Sequence, residues 1–199
     1  MGLKLITAPA DYPVTLEECR SHLEVDYTDK DTLIEMYLRA AVDEAEQFTG
    51  RSLVQQTWDY YLDGFPDDES AIEVPRPPLI EIGGVYYVDS AGDEQLLDTS
   101  VYRIDGSAEP ARLSLGYGQS WPTLQAVSNA VRIRFTSGYI DDSSPSGEDV
   151  PPSIKAAILL TVGTMFASRE NIVVGQSVAM LPWGAEQLLR NYRVHTAIA

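Results

Sequence analysis

The sequence predicts an α+β protein: a helical bundle of two N-terminal and two C-terminal helices, interrupted by an antiparallel β-sheet or small β-sandwich insert. Three observations carry that prediction. Residues 13–50 place apolar side chains at helical spacing behind two Thr-initiated starts, residues 53–140 switch to strand alternation broken by turn-formers, and residues 151–191 return to helical spacing.

The first helix starts at a Thr-x-x-Glu capping box, Thr15 with Glu18, in which hydroxyl and carboxylate satisfy backbone N–H groups that a helix start leaves unpaired. It is expected to end near Leu23. Thr28 with Asp31 repeats the pattern, and Leu33 or Ile34, Leu38, Ala41, Ala45 and Phe48 recur at three- and four-residue spacing until Gly50 supplies a left-handed C-cap. This second helix is long and one-faced, built to pack against something.

Beyond Gly50, Trp58, Tyr60 and Leu62 share one face of a strand that Phe65-Pro66 ends, with an exposed acidic turn at residues 67–69. Further strands are expected at residues 72–74, 79–82, 85–89, 94–97, 102–104, 111–115 and 131–136, in a meander or small sandwich. Residues 141–150 are polar and acidic, a flexible loop. Pro151 and Pro152 suit the first turn of a third helix, whose apolar face runs through Ile154, Ala157, Ile158, Thr161, Val162, Met165 and Phe166 to an end near residues 169–171. Residues 172–180 are apolar but broken by Gly175, and a short fourth helix from about Gly184 carries Leu188 and Leu189. The expected division is therefore residues 1–52 (helical), 53–140 (β insert), 141–150 (loop), 151–191 (helical) and 192–199 (tail).

At 199 residues the chain can bury one good core or one core with a satellite layer. The longest apolar run, residues 156–166, is too short and too interrupted to cross a bilayer, the N-terminus lacks the pattern of a signal peptide, and a single Cys excludes an internal disulfide framework. A cytoplasmic, reducing origin is the expectation. The net charge of −16 is unevenly placed: residues 1–149 hold 28 acidic and 10 basic residues, residues 150–199 only 2 and 4. Such a surface repels a phosphate backbone, which disfavours nucleic-acid binding in the usual sense but not proximity to DNA.

No constellation for chemistry emerges. Cys19 and His22, three apart on a short helix, are the nearest approach to a Cys-His pair, but no orienting third group accompanies them. Asp26, Asp29, Asp31 and Glu35 have the composition of a calcium loop without its spacing or its glycine. Gly83-Gly84 and Gly116-Tyr117-Gly118 lie between strands, with no helix N-terminus to offer a phosphate, and read as turns and bulges. A carboxylate-dependent hydrolase would need a pair such as Asp59 with Asp63, or Asp89 with Asp105, one of them with a raised pKa, and nothing in the spacing selects either. The expectation is a non-enzyme without metal or cofactor. The eleven Tyr and three Trp fill a β layer or a protein interface. Arg190, Tyr192, Arg193 and His195 bring cationic and aromatic character to the end of an acidic chain, as interface anchors do; a frayed terminus is the alternative.

Read together, PVTLEECRSHLEVD, DTLIEMYLRAAVDEAEQFTGRSLVQQTWDYYLDGFP, IEVPRPPLIEIGGVYYVDSAG, YRIDG, Trp121-Pro122, VRIRFTSGY, VPPSIKAAILLTVGTMFASREN and EQLLRNYR resemble, in order and spacing, the head-tail connector (adaptor) family of tailed bacteriophages, in the long form with a β insert that also occurs in prophages and gene transfer agents. The resemblance covers nearly the whole chain. It implies a structural virion protein at the neck of the particle, assembled in the bacterial cytoplasm, that forms a ring of twelve copies between portal and tail and keeps the DNA channel continuous. The implied partners are the portal protein, a stopper or tail terminator, and further copies of the chain. DNA would pass through without specific binding, and no membrane is involved. Another neck or tail-completion component is the alternative in the same class. In the family the C-terminal segment contacts the portal, which carries over to residues 190–199 and so to Arg190, Tyr192, Arg193 and His195. For lateral packing into a ring, the helical face around Leu38, Ala41 and Phe48 is the expected surface, in a contact that joins two different patches.

Overall fold

The structure, a computed structural model, describes residues 1–66, 70–139, 149–167 and 183–194. They form two units. Strands from residues 1–10 and 54–139 make one, and helices from residues 11–53 and from the described residues between 149 and 194 make the other. The class is α+β, with four helices and antiparallel sheets.

In the helical unit, α1 (Leu16–Leu23) opens on the expected capping box: the Thr15 N–H donates to Glu18 Oε2 at 2.6 Å and the Glu18 N–H donates to Thr15 Oγ1 at 3.1 Å. It ends on Glu24 in the left-handed region at φ 55°. α2 (Asp31–Thr49) ends as expected on left-handed Gly50 at φ 72°, but its start differs from the sequence reading. Thr28–Lys30 forms a 3-10 turn, Lys30 takes the N-cap position without a side-chain cap, and no second capping box forms. Asp31 is instead engaged by Arg20 of α1, whose Nε donates to Oδ1 at 2.6 Å while the second guanidinium nitrogen reaches Oδ2. The bidentate pair ties α1 to the start of α2.

α3 (Pro152–Ala167) packs on α2 and on α4 (Trp183–Arg190). Ile34, Leu38, Ile154, Ile158 and Leu189 are buried to 1 % exposure or less, and each aliphatic side chain so removed from water contributes roughly 1.5–3 kcal/mol. Cys19, Ala41, Ala45 and Ala157 fill the narrower spaces. Gly163 lets α3 approach α1, since a Cβ there would lie 3.3 Å from His22 Nε2.

The β unit holds a five-stranded sheet of order β1-β2-β8-β4-β5 and a three-stranded sheet of order β3-β7-β6. The strands are β1 (Gly2–Thr7), β2 (Gln56–Leu62), β3 (Ile72–Val74), β4 (Leu79–Val88), β5 (Glu94–Leu96), β6 (Tyr102–Asp105), β7 (Ala111–Leu115) and β8 (Val131–Ser137), and all their pairings are antiparallel. One core receives Leu62, Val85, Val131, Ile133 and Phe135 from the larger sheet and Ile72, Val74, Tyr102, Ala111 and Leu113 from the smaller. At its margin Phe65 stacks on Trp121 at 4.3 Å.

Two elements depart from expectation. Gly2–Thr7, assigned by sequence to the helical segment 1–52, is the edge strand β1; all six residues are exposed, so no burial pattern announced it, and β2 supplies its hydrogen bonds. The two strands expected at 79–82 and 85–89 are the single strand β4, because register shifts at Leu79/Glu81 and Ile82/Gly84 absorb the glycine pair without breaking the ladder. Gly84 is required there: a Cβ would lie 2.9 Å from the ring of Tyr86. The expectations for residues 67–69, for the loop at 141–148, for the end of the third helix beyond Ala167, for 172–180 and for the tail from His195 lie outside the described residues.

Candidate assembly interface

Several of the residues weighed for chemistry, Cys19, Asp31, Glu35 and Asp59 among them, are engaged in packing or ion pairs. Cys19 is fully buried and its thiol is pushed up to about 11, first by desolvation and then by the charge of Glu18, so it is a protonated packing group near neutrality; His22 is exposed. Of the calcium-like cluster, Asp31 serves Arg20 and Glu35 pairs with Arg39 one turn along α2. Among the described residues no group of three or more His, Cys, Asp or Glu could hold a metal ion.

Neither carboxylate pair has the electrostatics of an acid–base couple. Asp59 is 2 % exposed; burial pushes its carboxyl up, but the guanidinium groups of Arg134 and then Arg132 outweigh burial and hold it below the usual range. Asp89 is lowered chiefly by the backbone N–H of Asp93, and Asp105 chiefly by the hydroxyl of Ser107. Asp63 accepts the Asn129 N–H at 2.9 Å. An open groove of about 660 Å³ beside β6 and β7, lined by Arg103, Ile104, Asp105 and residues 114–119, brings no raised carboxylate together with a nucleophile.

The electrostatic centre of the β unit is a ladder across the larger sheet. Asp59 on β2 lies directly opposite Arg134 on β8, which donates from Nε to Oδ1 and from a terminal nitrogen to Oδ2, both at 2.7 Å. Arg132 reaches Asp59 at 3.5 Å and Glu94 of β5 at 2.9 Å, and its guanidinium lies 4.0 Å above the Tyr86 ring. Four of the five strands are joined by these side chains. The ladder holds the sheet and leaves no vacancy for a ligand.

The residues expected at interfaces divide. Leu38 and Ala41, each 1 % exposed, lie inside the helical core and have no surface to offer another subunit: the periodicity that identifies a buried face does not say what covers it, and here α3 and α4 do. Phe48 is half-buried, with the Arg193 guanidinium 5.7 Å from its ring centroid. The tail is held as far as Val194. Arg51 Nε donates to the Tyr192 carbonyl at 2.7 Å, and the Val194 N–H donates to the Thr49 carbonyl at 2.7 Å. Arg190, ion-paired with Glu186, and Arg193 are exposed, Tyr192 is half-buried, and His195 lies outside the described residues.

Sequence reasoning missed the apolar side chains the helical unit does expose: Tyr27 at 53 %, Met36 at 55 %, Leu160 at 40 % and Trp183 at 76 %. For Met36 on α2 and Leu160 on α3 the signal available was a position half a turn from the inward face.

The β-rich architecture and the helical unit have counterparts among known proteins. Three solved structures share the fold over 100 % of this chain and 98 % of theirs: the neck of an empty gene transfer agent (GTA) particle computed with C6 symmetry (TM-score 0.77, 22 % identity), the virion of a native GTA particle (0.78, 22 %) and the neck of a native GTA particle computed with C12 symmetry (0.74, 23 %). No curated protein matches the sequence. A family model described as phage gp6-like head-tail connector protein matches residues 13–81, the segment from the start of the helical unit through β2 and β3 into β4. Over those 69 of its 199 residues the chain is similar to that connector family.

Proposed function

We propose that this chain is the head-tail connector of a phage-like particle, a structural protein that forms a ring between the portal and the tail and keeps the DNA channel continuous. The observation that carries this reading is the coincidence of the connector match over residues 13–81 with a neck-protein fold along the entire chain. In this reading the helical bundle, interrupted in sequence by the β segment, is the scaffold of the ring, and a twelve-fold arrangement fits the C6 and C12 symmetries used for the related necks. Arg190, Tyr192, Arg193 and His195 contact the portal; the docking of Tyr192 and Val194 on the end of α2 supports this by presenting the exposed Arg190 and Arg193 from an anchored segment. A stopper or tail terminator binds on the tail side.

The acidic surface acquires a use in such a ring. Carboxylates facing the channel let duplex DNA slide without the cationic contacts that would retain it. Asp59, Asp89 and Asp105 are each held toward the ionised form, which disfavours them as the general acid of a hydrolase. Electron microscopy of assembled particles tests the reading: a ring of density at the portal–tail junction should accommodate the chain, and particles lacking the protein should carry heads without joined tails. A junction density that does not fit this fold ends the proposal. Tight duplex binding in a filter assay at physiological salt would end the account of the acidic surface.

A further inference from the structure

The helical unit carries two uncharged stripes that its own core does not use. α2 turns Ile34, Leu38, Ala41 and Ala45 inward, so Met36 and Ala40, half a turn away, stand exposed. α3 turns Ile154, Ala157, Ile158 and Thr161 inward and leaves Ala156, Leu160 and Thr164 outside. α3 has Lys155 as its one charge in 16 residues and is apolar on every side, a composition that belongs to a helix covered all round. A Cβ at Gly184, at the start of α4, would lie 3.9 Å from Leu160 Cδ1, so Leu160 and the 76 % exposed Trp183 stand near one another and the two helices extend one patch. α2 and α3 pack on each other, and each stripe lies about half a turn from its own helix's inward face.

Charge separates the two helix pairs. Residues 11–53, which contain α1 and α2, hold 11 acidic and 4 basic residues, whereas the described residues from 149 to 194, which contain α3 and α4, hold 2 and 3. Two α1–α2 faces brought together would repel, and an α1–α2 face set against an α3–α4 face would not.

We infer that the two stripes are the halves of one lateral contact between copies of this chain, with Met36 and Ala40 of one copy receiving Leu160 and Trp183 of the next. The inference rests on the connector reading, which needs copies to meet in a ring, and deepens it by naming the surfaces. Two different patches make a head-to-tail contact, which repeats from copy to copy instead of stopping at a two-fold dimer and closes into a ring where the rotation per copy fits.

Cysteine cross-linking of the full chain tests it, with Ala40→Cys and Leu160→Cys made singly and together; Cys19 is fully buried and stays in place. In assembled particles and in concentrated solution, a short bis-maleimide should convert the double variant into a ladder of covalent multimers. A mixture of the two single variants should give dimers only, and each single variant alone should give none. Leu160→Glu, with native helix content by circular dichroism, should lose the ring from particles. Dimers from one single variant alone, cross-links only to a different protein, or a Leu160→Cys thiol that resists a maleimide in the monomer each overturn the contact. Ring density without the ladder refutes this contact and leaves the connector reading standing; a particle without any ring of this chain refutes both.

Discussion

Replacing Asp59 isolates the charge ladder of the β unit. Its side chain is 3 % exposed and accepts two hydrogen bonds from Arg134 at 2.7 Å, so removing the carboxylate strips a buried pair of one partner. That operation costs roughly 3–5 kcal/mol where the remaining charge stays buried. The Arg134 side chain is 39 % exposed and recovers part of its hydration, and Arg132 keeps Glu94, which lowers the expected cost to about 3 kcal/mol for Asp59→Ala and about 2 kcal/mol for Asp59→Asn, which retains one acceptor. For a chain of this size about 2 kcal/mol corresponds to a Tm lower by roughly 4–8 °C. Urea unfolding followed by the fluorescence of Trp58 and Trp121, with scanning calorimetry beside it, measures both quantities. The Asp59 carboxyl is held below its ordinary range in the folded state, so its contribution is fully present above the unfolded carboxylate pKa of about 4 and is lost as pH falls through the lowered value. The gap between wild type and Asp59→Asn should therefore be constant near neutrality and narrow in acid. A loss under about 0.5 kcal/mol at pH 7, the range of an exposed ion pair, or a gap that widens in acid would refute the reasoning.

Three further outcomes follow from particular residues. Thr15→Ala removes the hydroxyl half of the capping box and should cost about 1 kcal/mol, while the Glu18 carboxyl should stay below its ordinary range, because the backbone N–H of residue 15 that chiefly lowers it is kept; titration by nuclear magnetic resonance would register this. Gly138→Ala should destabilise by roughly 3 kcal/mol or more, because Gly138 sits at φ 128° and a Cβ there would lie 2.3 Å from the Val54 carbonyl oxygen; denaturant titration checks it. Cys19, buried with its thiol raised to about 11, should react with a disulfide reagent at pH 8 only after unfolding, and Cys19→Ala should leave ring assembly intact.

The elements whose sequences state their own boundaries were legible. Thr15, Glu18 and Gly50 announce helix ends by local hydrogen bonding and backbone freedom, and the inward faces of α2 and α3 follow from spacing alone. The second capping box was not legible, because the carboxylate of Asp31 goes to Arg20, a choice made by tertiary neighbours. β1 was missed for a similar reason: its hydrogen bonds come from a strand some fifty residues away and none of its side chains is buried. The sites were harder still. Spacing picked out Leu38 and Ala41 because they are apolar at a regular interval, which is also why they are in the core. The exposed Met36 and Leu160 are single residues between the regular ones, and only the coordinates distinguish them from packing.

The strand β1 reorders the chain's path: it lays down part of the β unit, then α1 and α2, then returns for seven more strands before α3 and α4 arrive. During synthesis β1 to β8 are all present before α3 and α4 emerge, so the helical unit is the later of the two to have its parts. α1 and α2 wait with Ile34 and Leu38 uncovered while a hundred residues emerge, and β2 through β8 can assemble meanwhile around an edge strand already made. Maturation of the helical unit therefore waits for α3 and α4, and a chain cut short before Pro152 leaves α2 without the helices that cover Ile34 and Leu38.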